Sequence, residues 1–485
     1  MRRTMRLYFN FLVIGSFCLS LWACGGSVAR YDPGPSAVSG DVSVIASGDR
    51  NVTLAWKEAE NAAAYAIYYS TSQGVTTDNG TKFGTTTGTS AIVTGLENDT
   101  PYYFVVVSVN SSGESGVSNE VSGTPSALGP FEQNDLKGTW RFNILVTDSN
   151  TNTNDGWMRG VITIEDSGAV AKSSFLDNTG GETAPSYLFP SLYISQSGQV
   201  RDAENPGDAR FLGSLGGFQR KIIVGTLVTE NDSHLLVVLL KHDPLVTFSN
   251  VGDLAGFGGP AGGARRFSYS QLSSGAVKEW EFAIGQIGQD RGVQYSLFTA
   301  PSNPETPGKK ATTLSISDDG IISETGSTVT PQPTVRIQSG VMSDDKSLIV
   351  ATATDSANPS KYVLRIYEII NVVPYNTNTF SLADLAGSYS IDRLILGTST
   401  LTASGVLSEN GVSGLVSFIS YQDSSGSLPP PAFTLGIADD GILSSPDIPT
   451  LHGKMAYYKD IEVFTQTVSS GAYSLSVALK SYLEK

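Results

Sequence analysis

One short phrase recurs three times in the last three-quarters of this chain and sets its organisation. Asp-Leu-x-Gly stands at residues 135–138, 253–256 and 384–387, and a phenylalanine precedes each copy by four or five residues. Two further markers follow each copy in the same order: a strand that runs into a tight turn, and a closing pair of strands. Because order and chemistry repeat together, we expect three tandem units whose starts lie 118 and 131 residues apart.

The turns within these units predict antiparallel β structure. Asp-Gly at 319–320 and at 440–441 lies between apolar strands, where the glycine can take the positive φ of a hairpin turn. Seven or eight short strands per unit can close into a small barrel, or they can form two blades of a propeller. We therefore predict an all-β chain with three barrel-like repeats at 131–247, 248–371 and 380–485, and a six-bladed propeller is the alternative.

The first 23 residues predict an exported protein. Arg2, Arg3 and Arg6 precede an apolar run that reaches Trp22, and this run is too short for a stable membrane span. A charged segment followed by a short apolar segment is typical of a secretion signal, so residues 1–23 are excluded from the fold.

The end of that run resembles the lipobox of bacterial lipoproteins. It reads Leu-Trp-Ala-Cys-Gly at residues 21–25, although the tryptophan departs from the small or β-branched residue usual at its position. The resemblance implies that Cys24 is acylated and becomes the first mature residue. Gly25 in place of an aspartate resembles the Gram-negative lipoproteins that are sorted to the outer membrane. Residues 24–36, rich in Gly, Ser and Pro, are then a lipidated tether.

Composition excludes several kinds of site and partner. The only other cysteine, Cys18, lies inside the signal, so we expect no disulfide, no thiolate metal site and no cysteine nucleophile. Three histidines argue against a histidine metal cage. Without the three signal arginines the charge of −15 becomes −18, which argues against nucleic acid and against anionic lipid as partners.

Residues 37–125 closely resemble a fibronectin type III domain. Strands alternate with period two, and Trp56 stands where that family places its buried tryptophan. Leu96 and Tyr102 match the leucine and tyrosine-corner pair of the family. No Arg-Gly-Asp triplet is present, so the adhesive loop of some family members is not implied. In bacteria this resemblance implies a spacer, or a module that contacts protein or glycan.

Two weaker resemblances concern the repeats. Gly138-Thr139-Trp140 is similar to the opening of lipocalin-like and avidin-like barrels, where the tryptophan closes one barrel end, but the third copy has Tyr389 at this position. The repeat region also resembles triplicated hypothetical lipoproteins of metal-reducing deltaproteobacteria, a family without an assigned activity.

Candidate chemistry is sparse. The loop 148–156 has oxygen ligands on alternate residues, as a calcium loop needs, but it lacks the glycine and glutamate of an EF-hand, so turn chemistry explains it better. The acidic pairs at 318–319, 344–345 and 439–440 are expected to be turn residues. His242 precedes Asp243, yet no Gly-x-Ser-x-Gly elbow accompanies them. Most of five candidate aromatics are expected in the core: Trp140, Trp157, Trp280, Tyr193 and Tyr295.

These observations predict a non-enzymatic lipoprotein of the cell envelope, held by Cys24, that acts as a binding, adhesion or structural scaffold module. No catalytic, cofactor or metal residue is predicted. A protein or a glycan is the expected ligand, and the outer membrane of a Gram-negative bacterium is the expected location. The alternative is an exported hydrolase or lyase that acts on polysaccharide through carboxylates of the repeats. Ligand identity, oligomeric state and exposed membrane side are left open.

Overall fold

The protein was studied as a computed structural model. It describes residues 34–38, 42–48, 50–126, 130–148, 154–204, 209–249, 253–254, 265–288, 290–301, 310–325, 337, 339–369, 380–398, 400–426, 428–456, 458–468 and 471–480. Within these ranges, no helix has the length and apolar character needed to cross a bilayer.

The N-terminal part is a two-sheet β-sandwich. One sheet has the order β1-β2-β5, and the other has the order β4-β3-β6-β7 with β8 also paired to β6. The strands are β1 (Ser43–Gly48), β2 (Asn51–Ala55), β3 (Ala64–Ser70), β4 (Thr81–Thr86), β5 (Ser90–Thr94), β6 (Tyr102–Asn110), β7 (Gly113–Glu114) and β8 (Val121–Gly123). Trp56 is buried between the sheets against the edge of Tyr65, and the Tyr102 hydroxyl accepts a hydrogen bond from the Glu97 N–H at 3.1 Å. The anchors expected from the sequence therefore lie in the sandwich core.

Three barrel-like sheets follow, which we call barrels 1, 2 and 3. Barrel 1 consists of β9 (Gly138–Asp148), β10 (Gly156–Ile164), β11 (Val170–Asp177), β12 (Tyr193–Ile194), β13 (Gln199–Arg201), β14 (Phe211–Gly216), β15 (Ile222–Val228) and β16 (Ser233–His242). Barrel 2 consists of β17 (Arg265–Gly275), β18 (Glu279–Ile287), β19 (Gly292–Thr299), β20 (Lys310–Ile316), β21 (Ile321–Thr325), β22 (Ser339–Met342), β23 (Leu348–Thr354) and β24 (Lys361–Ile369). Barrel 3 consists of β25 (Gly387–Leu396), β26 (Thr400–Glu409), β27 (Leu415–Asp423), β28 (Phe433–Thr434), β29 (Gly436–Ile437), β30 (Ile442–Ser444), β31 (His452–Met455), β32 (Ile461–Thr467) and β33 (Tyr473–Lys480).

Each sheet is an antiparallel meander in which the first long strand pairs with both the second and the last. In barrel 2 this pairing closes the sheet completely. In barrel 1 the two edges meet at a single bridge between Ala169 and Ser191. In barrel 3 the edges are β28 and β29, which are separated along the chain by Leu435. The all-β prediction with barrel-like units is thus confirmed, and the propeller alternative is wrong.

Short helical segments stand ahead of two barrels and inside one turn. Four-residue helices at Gln133–Leu136 and Leu382–Leu385 precede β9 and β25, and a 3-10 turn at Phe218–Arg220 links β14 to β15. Each helix has a reciprocal capping box, in which the N3 aspartate accepts a hydrogen bond from the N-cap backbone.

The barrels bury both faces of their longest strands. Successive side chains on a strand point to opposite sides, so one set fills the lumen and the other set points outward. In β16, Leu235, Val237 and Leu239 belong to the lumen of barrel 1, whereas the alternate residues join a second core outside it. This second core receives outward-facing residues from all three barrels, including Leu236, Val238, Leu364, Ile366, Val463, Leu475 and Val477. The three barrels therefore pack around one shared apolar core.

The sandwich rests on the barrels through hydroxyl and amide contacts. The Thr87 and Thr89 hydroxyls each lie 2.8 Å from a hydroxyl of Ser249 and Thr247, respectively, in the segment between barrels 1 and 2. The side chain of Gln219, in the β14–β15 turn, donates a hydrogen bond to the Asn51 side chain on β2. These contacts between the sandwich and the barrels are polar, whereas the barrels contact one another through an apolar core.

Candidate functional site

The Asp-Leu-x-Gly phrase closes one end of each barrel. In barrel 1, Leu136 is fully buried, and its carbonyl accepts a hydrogen bond from the Trp140 indole N–H at 2.7 Å. Asp135 forms an ion pair with Arg220 at 2.8 Å, and this guanidinium lies 3.9 Å from the centre of the Phe131 ring. An aromatic ring, a cation and a carboxylate thus form one layer over the barrel end.

The same layer occurs at barrels 2 and 3. Lys346 pairs with Asp253, and Lys459 pairs with Asp384, each at 2.9 Å. The two ammonium groups lie 5.6 and 5.3 Å from the rings of the preceding phenylalanines, Phe248 and Phe380. We call these three arrangements the caps. In each cap the aspartate of the repeated phrase is an ion-pair partner.

A glycine lets each cap close. Gly198, Gly320 and Gly441 have φ between 84° and 86°, in the left-handed region that favours glycine. A Cβ placed on them would lie 2.7–3.1 Å from the ring of the cap phenylalanine. The tight turn expected from the sequence is therefore also the seat of that ring.

A polar concavity lies at the opposite end of barrel 1 among the described residues, and we take it as the candidate binding site. Antiparallel pairing brings the end of β9, the start of β10, the end of β11 and the β15–β16 turn to this end of the sheet. The resulting cleft has a volume of about 600 Å³. Its polar and aromatic lining includes Asp155, Asp177, Glu230, Arg210, Tyr187 and Tyr362. Since Tyr362 belongs to barrel 2, two barrels build the cleft.

Two carboxylates of the cleft have pKa values shifted in opposite directions. Burial raises the pKa of Asp155 and outweighs the hydrogen bond that its Oδ1 accepts from the Asp148 N–H at 2.7 Å. At Asp177, burial works in the same direction, but hydrogen bonds from Thr179 and Gly181 lower the pKa below its ordinary value. One cleft thus holds a carboxyl that resists ionisation and another that ionises readily.

The remaining charges of the cleft are one ion pair. Arg210 lies against the Glu230 carboxylate, and both side chains are largely exposed. Tyr187 is partly buried, and this burial raises the pKa of its phenol. Acidic side chains outnumber the single guanidinium in the described lining, so the cleft disfavours anionic ligands and suits neutral or cationic ones.

The predicted site residues fall into different places. Cys24 and residues 1–33 lie outside the described residues, as do 149–153 of the proposed calcium loop. The acidic pairs at 318–319, 344–345 and 439–440 are all in turns, as expected. No group of three or more His, Cys, Asp or Glu side chains in the described ranges is arranged to hold a metal ion.

One of those turn aspartates has a role that the sequence did not indicate. Asp344 of barrel 2 is buried and lies 3.1 Å from Nδ1 of His242 and 3.4 Å from Nζ of Lys221, both in barrel 1. It also accepts a hydrogen bond from the Asp243 N–H at 2.9 Å. His242 and Asp243 therefore join barrels 1 and 2 through Asp344. The chain distance of about a hundred residues between these partners conceals the contact in the sequence.

The candidate aromatics are mainly core residues. Trp140 and Tyr295 are buried in the lumens of barrels 1 and 2. Trp157 and Trp280 point outward, and their indole N–H groups each donate to a threonine of another barrel, Thr354 and Thr467, at 2.9 Å. Tyr193 is partly buried on the short β12.

The lumen of barrel 2 contains a buried ionic network. The Arg365 Nε donates to the Gln271 side chain at 2.7 Å, and its Nη1 donates to the Tyr367 hydroxyl at 3.1 Å. Lys361 pairs with Glu279 at 2.6 Å and with Glu281 at 3.5 Å. Burial alone would lower the pKa of Lys361, but these two carboxylates raise it above its usual value.

The lumen of barrel 3 contains two glutamates side by side. Glu409 on β26 and Glu462 on β32 are buried and interact directly, with Lys480 as the nearest opposite charge. Burial raises the pKa of Glu462 to about 7 and, together with the charge of Glu462, raises that of Glu409 well above its usual range. The two carboxyl groups therefore share protons rather than act as two carboxylates.

Comparisons with known proteins identify one part of the chain. No curated protein matches the sequence. Among solved structures, the vaccine antigen transferrin binding protein B of Haemophilus parasuis is 10% identical over 87% of this chain and 96% of its own, with a TM-score of 0.23. The isotype 1 protein of the same name from serogroup B Neisseria meningitidis is 8% identical over 78% of this chain and 84% of its own, with a TM-score of 0.22. Such low scores transfer nothing about function.

The sandwich gives a family match. The structure called FN3tt is 27% identical over 19% of this chain and 97% of its own, with a TM-score of 0.17. Residues 36–124 match the fibronectin type III family itself. The N-terminal sandwich of this chain is a fibronectin type III domain.

Proposed function

We propose that this protein is a non-enzymatic binding protein of the cell envelope, anchored through an acylated Cys24 and built to present the cleft of barrel 1. The cleft carries the proposal, since a concave site with a few convergent polar groups is the usual form of a ligand site. The shared core supports it by joining barrels 1 and 2, which both contribute residues to the cleft.

We also infer that the three barrels are copies of one unit. Their caps support this, because each contains, in the same order along the chain, a phenylalanine, an aspartate and a basic residue with positive φ (Arg220, Lys346 or Lys459). Under this proposal the triplication supplies a rigid platform, and the ligand site lies at one end of barrel 1, with Tyr362 contributed by barrel 2.

Binding is tested on the mature chain with polysaccharide and protein fractions of a Gram-negative envelope immobilised separately. We expect one fraction to retain the wild type, and Tyr187→Ala combined with Asp177→Asn to reduce retention at least ~10-fold, since a stacking ring and a charged acceptor are lost. Tyr421→Ala, in barrel 3, is the matched control and keeps full retention. Equal retention of all three proteins would place the ligand elsewhere.

Anchoring has its own test. The full-length protein is expected to fractionate with the outer membrane when expressed in a Gram-negative host, and Cys24→Ser is expected to appear in the soluble fraction. Membrane fractionation of Cys24→Ser would contradict lipid anchoring while leaving the cleft proposal intact.

A polysaccharide hydrolase or lyase is the second candidate, favoured by the opposite pKa shifts of Asp155 and Asp177 in one cleft. Paired carboxyls of this kind can act as general acid and general base. Incubation with the retained polysaccharide would then release reducing ends or unsaturated products, and Asp155→Asn would abolish release but keep binding. Absence of products from the wild type would remove this candidate.

A further inference from the structure

A second concavity, distinct from the cleft, lies between barrels 1 and 2. It has a volume of about 170 Å³ and is formed by the outer face of β9–β11 on one side and by β21–β22 on the other. Arg159 and Arg141 line it together with Asn143, and barrel 2 contributes Ile321, Ser339 and Val341. We call it the interbarrel groove. Two guanidinium groups in one groove are unexpected in a chain with a net charge of −15.

The two arginines differ in how their charge is compensated. Arg141 donates a hydrogen bond to the Asp319 carbonyl, and its Nη2 lies 3.6 Å from the Asp319 carboxylate. Arg141 is therefore neutralised from within the protein.

Arg159 has no such compensation. Its Nη1 is buried and has no hydrogen-bond partner among the described residues, and the centre of the Trp157 ring lies 4.5 Å from the guanidinium carbon. Burial lowers its pKa, and no charged neighbour opposes this. Residues 326–336, which connect β21 to Ile337, contain no Asp or Glu. A partly buried cation with no counter-ion among the described residues is unfavourable, so the groove favours a bound anion.

The walls of the groove restrict the kind of anion. Strand pairing places Arg159 between Asn143 and Leu176 across β9–β11, and the facing side chains of Ile321 and Val341 are apolar. Asn143 already uses its Oδ1 to accept a hydrogen bond from Thr352 at 3.2 Å. A phosphate needs several donors around it, whereas a carboxylate is satisfied by the fork of one guanidinium. The volume holds about five or six water-sized groups, which excludes a nucleotide or an oligosaccharide.

We propose that the interbarrel groove binds a small monocarboxylate with a short apolar body, whose carboxylate is held by Arg159 and whose body lies against Ile321 and Val341. One uncompensated positive charge matches one negative charge. The ligand crosses from β10 to β22 and therefore links the two barrels whose junction also forms the cleft. This site is independent of the proposed function, because none of its lining residues lies in the cleft.

The test titrates the mature protein with butanoate at constant ionic strength, with butanamide as the neutral analogue and inorganic phosphate as the anion without an apolar body. Binding is measured by calorimetry and by the rise in Tm. Butanoate is expected to bind and raise Tm, and the other two are not. Arg159→Met should weaken butanoate binding at least ~10-fold, since a charged hydrogen-bonded pair is lost. The control Arg266→Met removes an exposed arginine of barrel 2 and should bind like the wild type.

The variant also reports on its own folding. Because Arg159→Met removes an uncompensated, partly buried charge and keeps an apolar stem, it should melt no lower than the wild type without ligand. The proposal would be overturned if the wild type did not bind butanoate. It would also be overturned if Arg159→Met bound butanoate as tightly as the wild type. If butanamide bound as tightly as butanoate, the carboxylate charge would not be what Arg159 recognises. If phosphate bound and butanoate did not, the groove would not require an apolar body on its ligand.

Discussion

Barrels 2 and 3 share a topology and a cap, yet they arrange the ionisable groups of their lumens in opposite ways. In barrel 2, Arg365 and Lys361 are surrounded by Glu281, Glu279 and hydroxyl or amide acceptors. In barrel 3, two glutamates face each other, and burial raises the pKa of Glu462 to about 7. In barrel 1, the described residues that fill the lumen include many aromatic and aliphatic side chains.

The difference shows what the lumen of such a barrel must satisfy. The cap and the shared outer core stabilise each barrel from outside its lumen. The lumen can therefore be apolar, ionic or acidic, provided that every buried charge is paired or protonated. Paired charges make barrel 2 sensitive to the loss of one partner. A protonated carboxyl pair makes barrel 3 sensitive to pH.

The largest effect is expected from Arg365→Ala in barrel 2. Removing a fully buried guanidinium takes the hydrogen-bond donor from Gln271, leaves Glu281 with Lys361 but without Arg365, and opens a cavity. The free energy of unfolding should fall by about 3–5 kcal/mol. Urea denaturation measures the loss, with the exposed Lys172→Ala of barrel 1 as a control that changes stability by less than about 0.5 kcal/mol. A loss below about 1 kcal/mol would mean that the network does not hold barrel 2 together.

Glu281→Gln is expected to destabilise the protein by about 3 kcal/mol at neutral pH, because Lys361 and Arg365 lose part of their counter-charge. The same urea experiment applies. If Glu281→Gln stabilised the protein instead, the carboxylates in the lumens of barrels 2 and 3 would have the same effect on stability, and the contrast between the two lumens would be wrong.

Glu462→Gln in barrel 3 should have the opposite effect and raise the free energy of unfolding. The ordinary pKa of this carboxyl is 4.5, and burial raises it to about 7, so the folded state binds more protons between these values. The contribution of Glu462 to the free energy of unfolding of the wild type is therefore greatest below pH 4.5, and it is lost as the pH rises through 7. A glutamine avoids this loss, so the variant should gain on the order of 2 kcal/mol relative to wild type by pH 8.

Urea denaturation at several pH values between 4 and 8 measures how the free energy of unfolding changes with pH. The exposed Glu165→Gln of barrel 1 should follow the wild type throughout. A gap between Glu462→Gln and wild type that stays constant with pH would show that the Glu409–Glu462 pair does not titrate in this range.

The smallest effect is expected at a cap. Lys459→Met removes a partly exposed ion pair with Asp384 and a cation–π contact with Phe380, which together contribute about 1 kcal/mol. The loss should shrink as salt is added, because exposed pairs are screened. A loss that matches Arg365→Ala would make the cap, rather than the lumen, the main support of the barrel.

The sequence by itself determined the all-β class, the fibronectin type III domain and the place of each cap. Trp56, Leu96 and Tyr102 are local anchors of a known pattern, and Leu136, Leu254 and Leu385 are buried as the repeated phrase predicts. These features were readable because turn chemistry and strand alternation act over a few residues.

Only the tertiary structure decided the cap ion pairs, the shared core and both concavities. The cap cations lie 75 to 93 residues from their aspartates, and Tyr362 reaches the cleft from another barrel. In β16 the run Leu235–Leu240 is apolar on both faces, which predicts burial but not what covers each face. Alternation fixes which side a residue faces, whereas the partner across that side depends on how closed sheets pack, and no local pattern encodes this.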